Sequence, residues 1–173
     1  SGVVDMIATD HAPHTPEEKT NDIIWNADCG FPGVETQMPL MLSEVAAGQM
    51  TLEHYVSISS ANPARAFGMW PDKGRIAVGA LADIAAVDMA REEVIASSRL
   101  HSRAKITPFE GRKTIGAPVH TIVRGAFVQR DRQMIEGMAG HGRQVTDIQT
   151  MPPANPQNVD QSLAQILGEK GKT

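Results

Sequence analysis

The spacing of hydrophobic positions changes along the chain, and a first region of predicted helices gives way to a later region of predicted strands. Asp5–Thr9 is a short apolar run with the β-branched character of a buried parallel strand. Apolar residues then recur at helical spacing until Gly48 predicts a stop, and Thr51 predicts the N-cap of a second helix to about Ser57. The helix-spaced residues are Val34, Met38, Met41, Leu42 and Val45, followed by Leu52, Tyr55, Val56 and Ile58.

The spacing becomes that of strands after residue 71. Before it, Asn62-Pro63 predicts a short helix with Asn62 at the N-cap, and Gly68 predicts its end. Gly74–Asp88 is typical of a short strand, a glycine turn and a buried strand. Residues 119–123 and 126–129 flank Arg124-Gly125 and predict a hairpin. The second region is therefore expected to be a β-rich module.

Two stretches of the chain lack a regular pattern. Thr15–Gly33 is rich in polar residues, glycine and proline, and loops of that length in compact domains are usually functional or mobile. After Gly140 the composition predicts an extended arm, with a short amphipathic helix over Val159–Glu169. We predict three parts: residues 1–68, residues 69–144 and the arm of residues 145–173.

Composition narrows the classes of partner. The 173 residues are 41% hydrophobic, which is ample for a core, and the net charge of −4 gives no basic footprint for nucleic acid. A small-molecule substrate fits better. The single cysteine, Cys29, excludes an intrachain disulfide and suits a reducing cytoplasm. We expect no membrane partner, because no segment approaches about 18 consecutive apolar residues. The chain starts at a strand without Met or a signal pattern, as expected for a piece of a longer protein.

The candidate chemistry lies at the end of the first predicted strand. Asp10, His11 and His14 follow the apolar run, and Pro13 holds them in a turn. The C-terminal ends of barrel strands are where α/β barrels assemble their active sites. The three residues alone are more typical of an aspartate that caps a turn and two ordinary polar histidines, so the surrounding sequence has to decide.

The surrounding sequence resembles the last third of the dihydroorotases, within the cyclic amidohydrolase superfamily. The resemblance covers about residues 5–144, and its implied fold class is α/β: the C-terminal part of a TIM-type (β/α)8 barrel, followed by part of a small β-sandwich domain. The implied reaction is the reversible, metal-dependent hydrolysis of dihydroorotate to N-carbamoyl-aspartate in pyrimidine biosynthesis. The matching segments are Asp10–Lys19, Gly30–Thr36, Asn62–Gly68, His101–Gly111 and Thr121–Gly125.

The resemblance also implies a role for several residues. Asp10 matches the family's aspartate, which ligates the metal and, as the catalytic acid–base, takes the proton of the attacking water and returns it to the leaving nitrogen. His14 matches the histidine that pairs with the substrate carboxylate. Cys29 and Gly30 match positions whose backbone binds the substrate ring, although Cys29 departs from the expected proline or phenylalanine. His11 is expected to pack or to form hydrogen bonds.

The resemblance implies a divalent metal, zinc in particular, that this chain cannot hold alone. The family's other ligands are a His-x-His pair, a bridging lysine and two further histidines, all preceding the position of Asp10, and catalytic zinc needs three protein ligands. We therefore expect this chain alone to be inactive and to need the N-terminal remainder of its own barrel. Lys105 lies in the β-rich region and is not the bridging lysine. Four isolated histidines are expected to be structural or at the surface: His54, His101, His120 and His141.

Other readings stay open at this point. Allantoinases and dihydropyrimidinase-like hydrolases share the Asp10 position, so an enzyme with another cyclic amide substrate is one alternative. A non-catalytic dihydroorotase-like subunit that assembles with a carbamoyltransferase is another, against which the presence of both Asp10 and His14 argues. An independent binding module would require half a barrel to fold with exposed sheet edges. A homo-oligomer is also left open.

Overall fold

The computed structural model describes residues 3–145 as an α/β chain. None of the helices in this range is long and apolar enough to span a bilayer. The expected helix over Val159–Glu169 lies outside the described residues. The helices are α1 (Pro16–Lys19), α2 (Val34–Ala46), α3 (Leu52–Val56) and α4 (Asn62–Ala66), and the strands are β1 (Ile84–Val94), β2 (Lys113–Val123), β3 (Ala126–Arg130) and β4 (Gln133–Met134). Short 3₁₀ turns cover Ile24–Asn26 and Ser97–Arg99, and a π-helical turn covers Ser57–Ala61.

The chain divides into two compact units. Within the described range, the first unit contains residues 3–59 and 87–118, and the second contains residues 60–86 and 119–145. The strands β1 and β2 therefore each contribute residues to both units. The division expected from the sequence, at residues 68 and 144, stays a prediction.

The first unit is built around α2, which forms where the apolar spacing predicts it. Leu42 is 1% exposed and faces Gly116 of β2, where an added Cβ would lie 2.7 Å from the Leu42 Cβ. The Ser43 hydroxyl accepts a hydrogen bond from the Ile115 N–H at 2.8 Å. Gly48 lies two residues beyond α2 at φ 71°, a conformation that glycine adopts without strain, so the predicted stop is confirmed.

The predicted N-cap of α3 is confirmed, whereas that of α4 is wrong. The Thr51 hydroxyl accepts a hydrogen bond from the His54 N–H at 3.1 Å. The π-helical turn then carries helical backbone directly into α4, so Asn62 is a helical residue, and its side chain accepts a hydrogen bond from Arg65 at 3.1 Å. Gly68, at φ 71°, follows the end of α4 as expected.

Two predicted strands are not strands in the structure. Asp5–Thr9 has no strand ladder, and its Ile7 N–H donates to the Ile58 carbonyl at 3.0 Å. Gly74–Val78 forms bends and turns, with the Ile76 side chain 86% exposed. A strand exists only where a neighbouring strand satisfies its backbone groups. The described residues place neither segment in their one sheet, whose order is β1-β2-β3-β4.

The second unit contains the predicted hairpin. β2 and β3 are antiparallel, and Val123 pairs with Ala126. Arg124 and Gly125 have φ of 51° and 81°, the left-handed pair that a two-residue hairpin turn requires. The Asp83 carboxylate accepts a hydrogen bond from the Arg124 N–H at 2.7 Å, which ties the turn to the segment before β1. The strand predicted to end at residue 88 continues as β1 to Val94.

Candidate active site

Asp10 occupies a backbone conformation that few residues adopt. Its φ is 44°, in the left-handed region, where aspartate and asparagine are several-fold enriched among non-glycine residues. The residue is exposed and follows the extended segment that ends at Thr9. Its carboxylate is therefore accessible to a ligand.

The next residue, His11, has the hydrogen-bonding role that the sequence analysis expects. Its Nδ1 accepts hydrogen bonds from the Gly33 N–H at 3.2 Å and from the Val34 N–H at 3.3 Å. These groups lie at the N-terminus of α2, where backbone N–H groups have no partner within the helix. Because Gly33 has no side chain to cap the helix, the imidazole of His11 performs that function.

His14 faces two carboxylates that the sequence analysis missed. Its Nδ1 is 3.6 Å from the Glu18 Oε2 and 3.5 Å from the Asp28 Oδ2. The ligand-type atoms of these three residues lie within 4.8 Å of one another, and they form the only such cluster in residues 3–145. Thr15 and Glu18 fit the capping-box pattern, which was the one available signal for Glu18.

The capping box fixes the short helix that carries Glu18. The Thr15 N–H donates to the Glu18 Oε2 at 2.7 Å, and this backbone hydrogen bond holds the pKa of Glu18 below its ordinary value of 4.5. Lys19, the last residue of α1, donates from Nζ to the Asp28 carbonyl at 3.1 Å and to the Gly30 carbonyl at 2.5 Å. α1 therefore holds the backbone of residues 28–30 beside His14.

The structure places Cys29 and Gly30 on that same backbone segment. Cys29 is exposed, and its thiol is 3.9 Å from the Ala27 carbonyl. Gly30 has a φ of 93°, and a Cβ there would lie 2.6 Å from the Ala12 Cβ. The close approach to Ala12 explains why a glycine is needed at this position. The substrate contacts expected of Cys29 and Gly30 stay a prediction.

Glu35, in the first turn of α2, binds a segment 66 residues away in sequence. Its Oε1 accepts hydrogen bonds from the His101 N–H at 2.7 Å and the Ser102 N–H at 3.1 Å, and its Oε2 lies 2.8 Å from the His101 Nδ1. Burial alone would raise the pKa of Glu35, but the hydrogen bonds from His101 and Ser102 lower it below 4.5. The structural role expected of His101 is observed.

Replacing Glu35 by glutamine should destabilise the protein at neutral pH and weaken its acid sensitivity. A lowered folded-state pKa gives stability that is present above pH 4.5 and lost as the pH falls through the folded value. The loss at pH 7 should be about 0.5–1.5 kcal/mol, because the Glu35 side chain is 32% exposed. Urea unfolding at a series of pH values measures both effects. Glu53→Gln, an exposed control in α3, should change neither.

The remaining candidates agree with their expected structural roles. The Lys105 Nζ donates to the Leu100 carbonyl, so this lysine belongs to a local turn. The His120 Nδ1 accepts from the Asp131 N–H at 3.0 Å, and the His141 Nε2 lies 2.9 Å from the Val123 carbonyl. His54 is exposed on α3.

Among the described residues, Asp10 could provide a metal with one carboxylate ligand. Asp10 is not part of the cluster of His14, Glu18 and Asp28, and no second group of three ligand-type residues occurs in residues 3–145. A catalytic zinc requires three protein ligands. The exposed carboxylate of Asp10 therefore fits a metal centre only as one member of a larger ligand set.

Comparison with known proteins assigns the chain to a family. The model of the amidohydrolase family matches residues 1–128. The chain is 42% identical over 130 residues to the dihydroorotase of Methanosphaera stadtmanae, covering 75% of this chain and 30% of that protein. It is 35% identical over 149 residues to the L-hydantoinase of Paenarthrobacter aurescens, covering 84% of this chain and 32% of that protein.

A solved structure agrees with these matches. The crystal structure of dihydropyrimidinase from Brevibacillus agri superposes with a TM-score of 0.73 at 32% identity, covering 76% of this chain and 29% of that one. The chain thus spans about a third of the length of the relatives that it matches. The family match covers well over half of the chain, including Asp10, His14 and the segment bound by Glu35. The chain belongs to the amidohydrolase family.

Proposed function

We propose that this chain is part of a metal-dependent hydrolase of cyclic amides, whose substrate is dihydroorotate and whose product is N-carbamoyl-aspartate. The observation that carries the proposal is the pair Asp10 and His14, in a segment that resembles dihydroorotases, within a chain 42% identical to one of them over 130 residues. The chain would form the C-terminal part of a TIM-type barrel and part of a β-sandwich. Its partner would be the N-terminal remainder of that barrel, and the exposed Cys29 thiol suits a cytoplasmic location.

In the proposed reaction, Asp10 carries a proton from the attacking water to the ring nitrogen of the substrate. A divalent metal, zinc by analogy with the family, would supply Lewis acidity when bound. The Asp10 carboxylate accepts a proton as water adds to the ring carbonyl. It then gives that proton to the ring nitrogen as the carbon–nitrogen bond breaks, which leaves Asp10 unchanged after each turnover. The exposure of Asp10 supports this role, because both proton transfers need direct access to substrate.

His14 is proposed to bind the carboxylate of the substrate. Its Nδ1 faces Glu18 and Asp28, which leaves Nε2 to donate to the ligand. Cys29 and Gly30 are proposed to contact the ring through their backbone, beside the two carboxylates. Hydantoin lacks a carboxylate, so His14 would distinguish dihydroorotate from simpler cyclic amides.

Replacing His14 by alanine should therefore raise KM for dihydroorotate by about 10- to 100-fold, the effect of losing one charge-assisted hydrogen bond. Steady-state kinetics on the complete protein, meaning this chain joined to the sequence expected ahead of Ser1, measures the change. His54→Ala is the matched control on an exposed histidine. An unchanged KM for dihydroorotate in the His14 variant would contradict the assignment.

A substrate panel tests the proposed function against its main alternative. The 35% identical L-hydantoinase and the dihydropyrimidinase structure favour a hydantoin-type substrate as the second candidate. The complete protein should give a higher kcat/KM with dihydroorotate than with hydantoin, dihydrouracil or allantoin. A preference for one of the last three would move the assignment to that substrate. Turnover of none of them would favour a non-catalytic assembly subunit.

A further inference from the structure

The residues that lead into α2 contact the chain on both sides of Asp10. Before Asp10, a Cβ on Gly33 would lie 3.1 Å from the Thr9 Cβ and 3.2 Å from the Thr9 carbonyl oxygen. After it, the Ala12 N–H donates to the Phe31 carbonyl at 3.1 Å. Contacts of this kind on both sides leave the backbone of Asp10 little freedom to move.

These contacts compensate for the unfavourable backbone conformation of Asp10. A non-glycine residue in the left-handed region is strained by roughly 1–2 kcal/mol, and such strain persists where the surroundings over-determine the conformation. Asp10 is in that region, at φ 44°, and its neighbour His11 links the segment to the N-terminus of α2 by two hydrogen bonds. Release of that link would let Asp10 relax toward common backbone angles and would turn its carboxylate away.

We propose that His11 is a positioning residue that holds Asp10 in its reactive orientation by capping the N-terminus of α2. The His11 Nδ1 accepts the N–H groups of Gly33 and Val34, which is the geometry of a helix cap. Gly33 completes the contact, since its N–H donates to the imidazole and its missing side chain admits Thr9. This inference rests on the proposed catalytic role of Asp10 and adds a reason for the histidine beside it.

Asparagine and alanine at position 11 separate this role from simple packing. The asparagine Oδ1 is joined to Cγ, like the histidine Nδ1, and can accept the same two hydrogen bonds, whereas alanine cannot. In the complete protein, His11→Ala should lower kcat for dihydroorotate by about 10- to 100-fold at unchanged KM. His11→Asn should recover most of the loss. An increase in KM at unchanged kcat would instead make His11 a substrate contact, and failure of asparagine to rescue would overturn the acceptor role.

Hydrogen exchange tests the same inference without using the reaction. The amides of Gly33 and Val34 should exchange faster in His11→Ala than in the native protein, and at the native rate in His11→Asn. Unchanged exchange in His11→Ala would overturn the proposal whatever the substrate is. If native protein fails to hydrolyse dihydroorotate while the exchange pattern is as expected, the proposed substrate fails and the capping by His11 stands.

Discussion

Asp10→Ala should reduce kcat/KM for the cyclic amide by about 10²- to 10⁴-fold, the range that a positioned acid–base group contributes. The variant removes the group proposed to accept the water proton and to return it to the ring nitrogen. It also removes one proposed metal ligand, so the metal content of the purified complete protein should fall as well. Kinetics and elemental analysis of the same preparation measure both effects.

Two further variants show whether the loss is chemical. Asp10→Asn should lose a similar share of activity while remaining as stable as the native protein, because asparagine also tolerates the left-handed backbone. Asp22→Ala removes an exposed carboxylate from the following loop and should leave kcat/KM unchanged. Native-like activity in both Asp10 variants would contradict the catalytic role of Asp10.

Gly116→Ala should strongly destabilise the first unit. The added Cβ would lie 2.7 Å from the Cβ of the fully buried Leu42, and the backbone at Gly116 has a φ of 94°. Left-handed strain of about 1–2 kcal/mol adds to an overpacking cost of about 1–3 kcal/mol. We expect the free energy of unfolding to fall by about 2–5 kcal/mol, measured by urea denaturation of the complete protein.

Gly111→Ala is the matched control for that change. Gly111 has a similar φ of 75°, but an added Cβ there would meet nothing within 4 Å. Its substitution should cost only the backbone strain, about 1–2 kcal/mol. Equal losses at Gly111 and Gly116 would show that contact with Leu42 contributes nothing.

The sequence predicted the elements whose signals are local. The apolar spacing of α2, the hydroxyl of Thr51 and the Arg124-Gly125 turn act over a few residues, and all three are found in the structure. Asp5–Thr9 and Gly74–Val78 have strand-like composition, yet a strand also needs a partner that local composition cannot supply. At Asn62 the local N-cap signal was overridden because helical backbone arrives from the preceding π-helical turn.

The candidate site also contains features that the sequence predicts and features that depend on the tertiary fold. Asp10 and His14 could be identified because they closely follow an apolar run and belong to a distinctive sequence motif. The bond between Glu35 and His101 could not be, since it joins residues 66 positions apart and depends on the tertiary fold. Asp28 lies beside His14 where the Lys19 Nζ binds the Asp28 carbonyl and the Asp28 N–H donates to the Glu18 carbonyl at 3.2 Å. The amino acid types at these positions do not show which of them come together.

The proposed function, that this chain is part of a metal-dependent dihydroorotate hydrolase, is tested most directly by chelation and metal restoration. The complete protein should hydrolyse dihydroorotate, lose that activity when a chelator removes its metal, and recover it when zinc is returned at one or two equivalents per chain. Robust turnover that survives complete metal removal would contradict the account, as would a fully metal-loaded protein that leaves dihydroorotate intact.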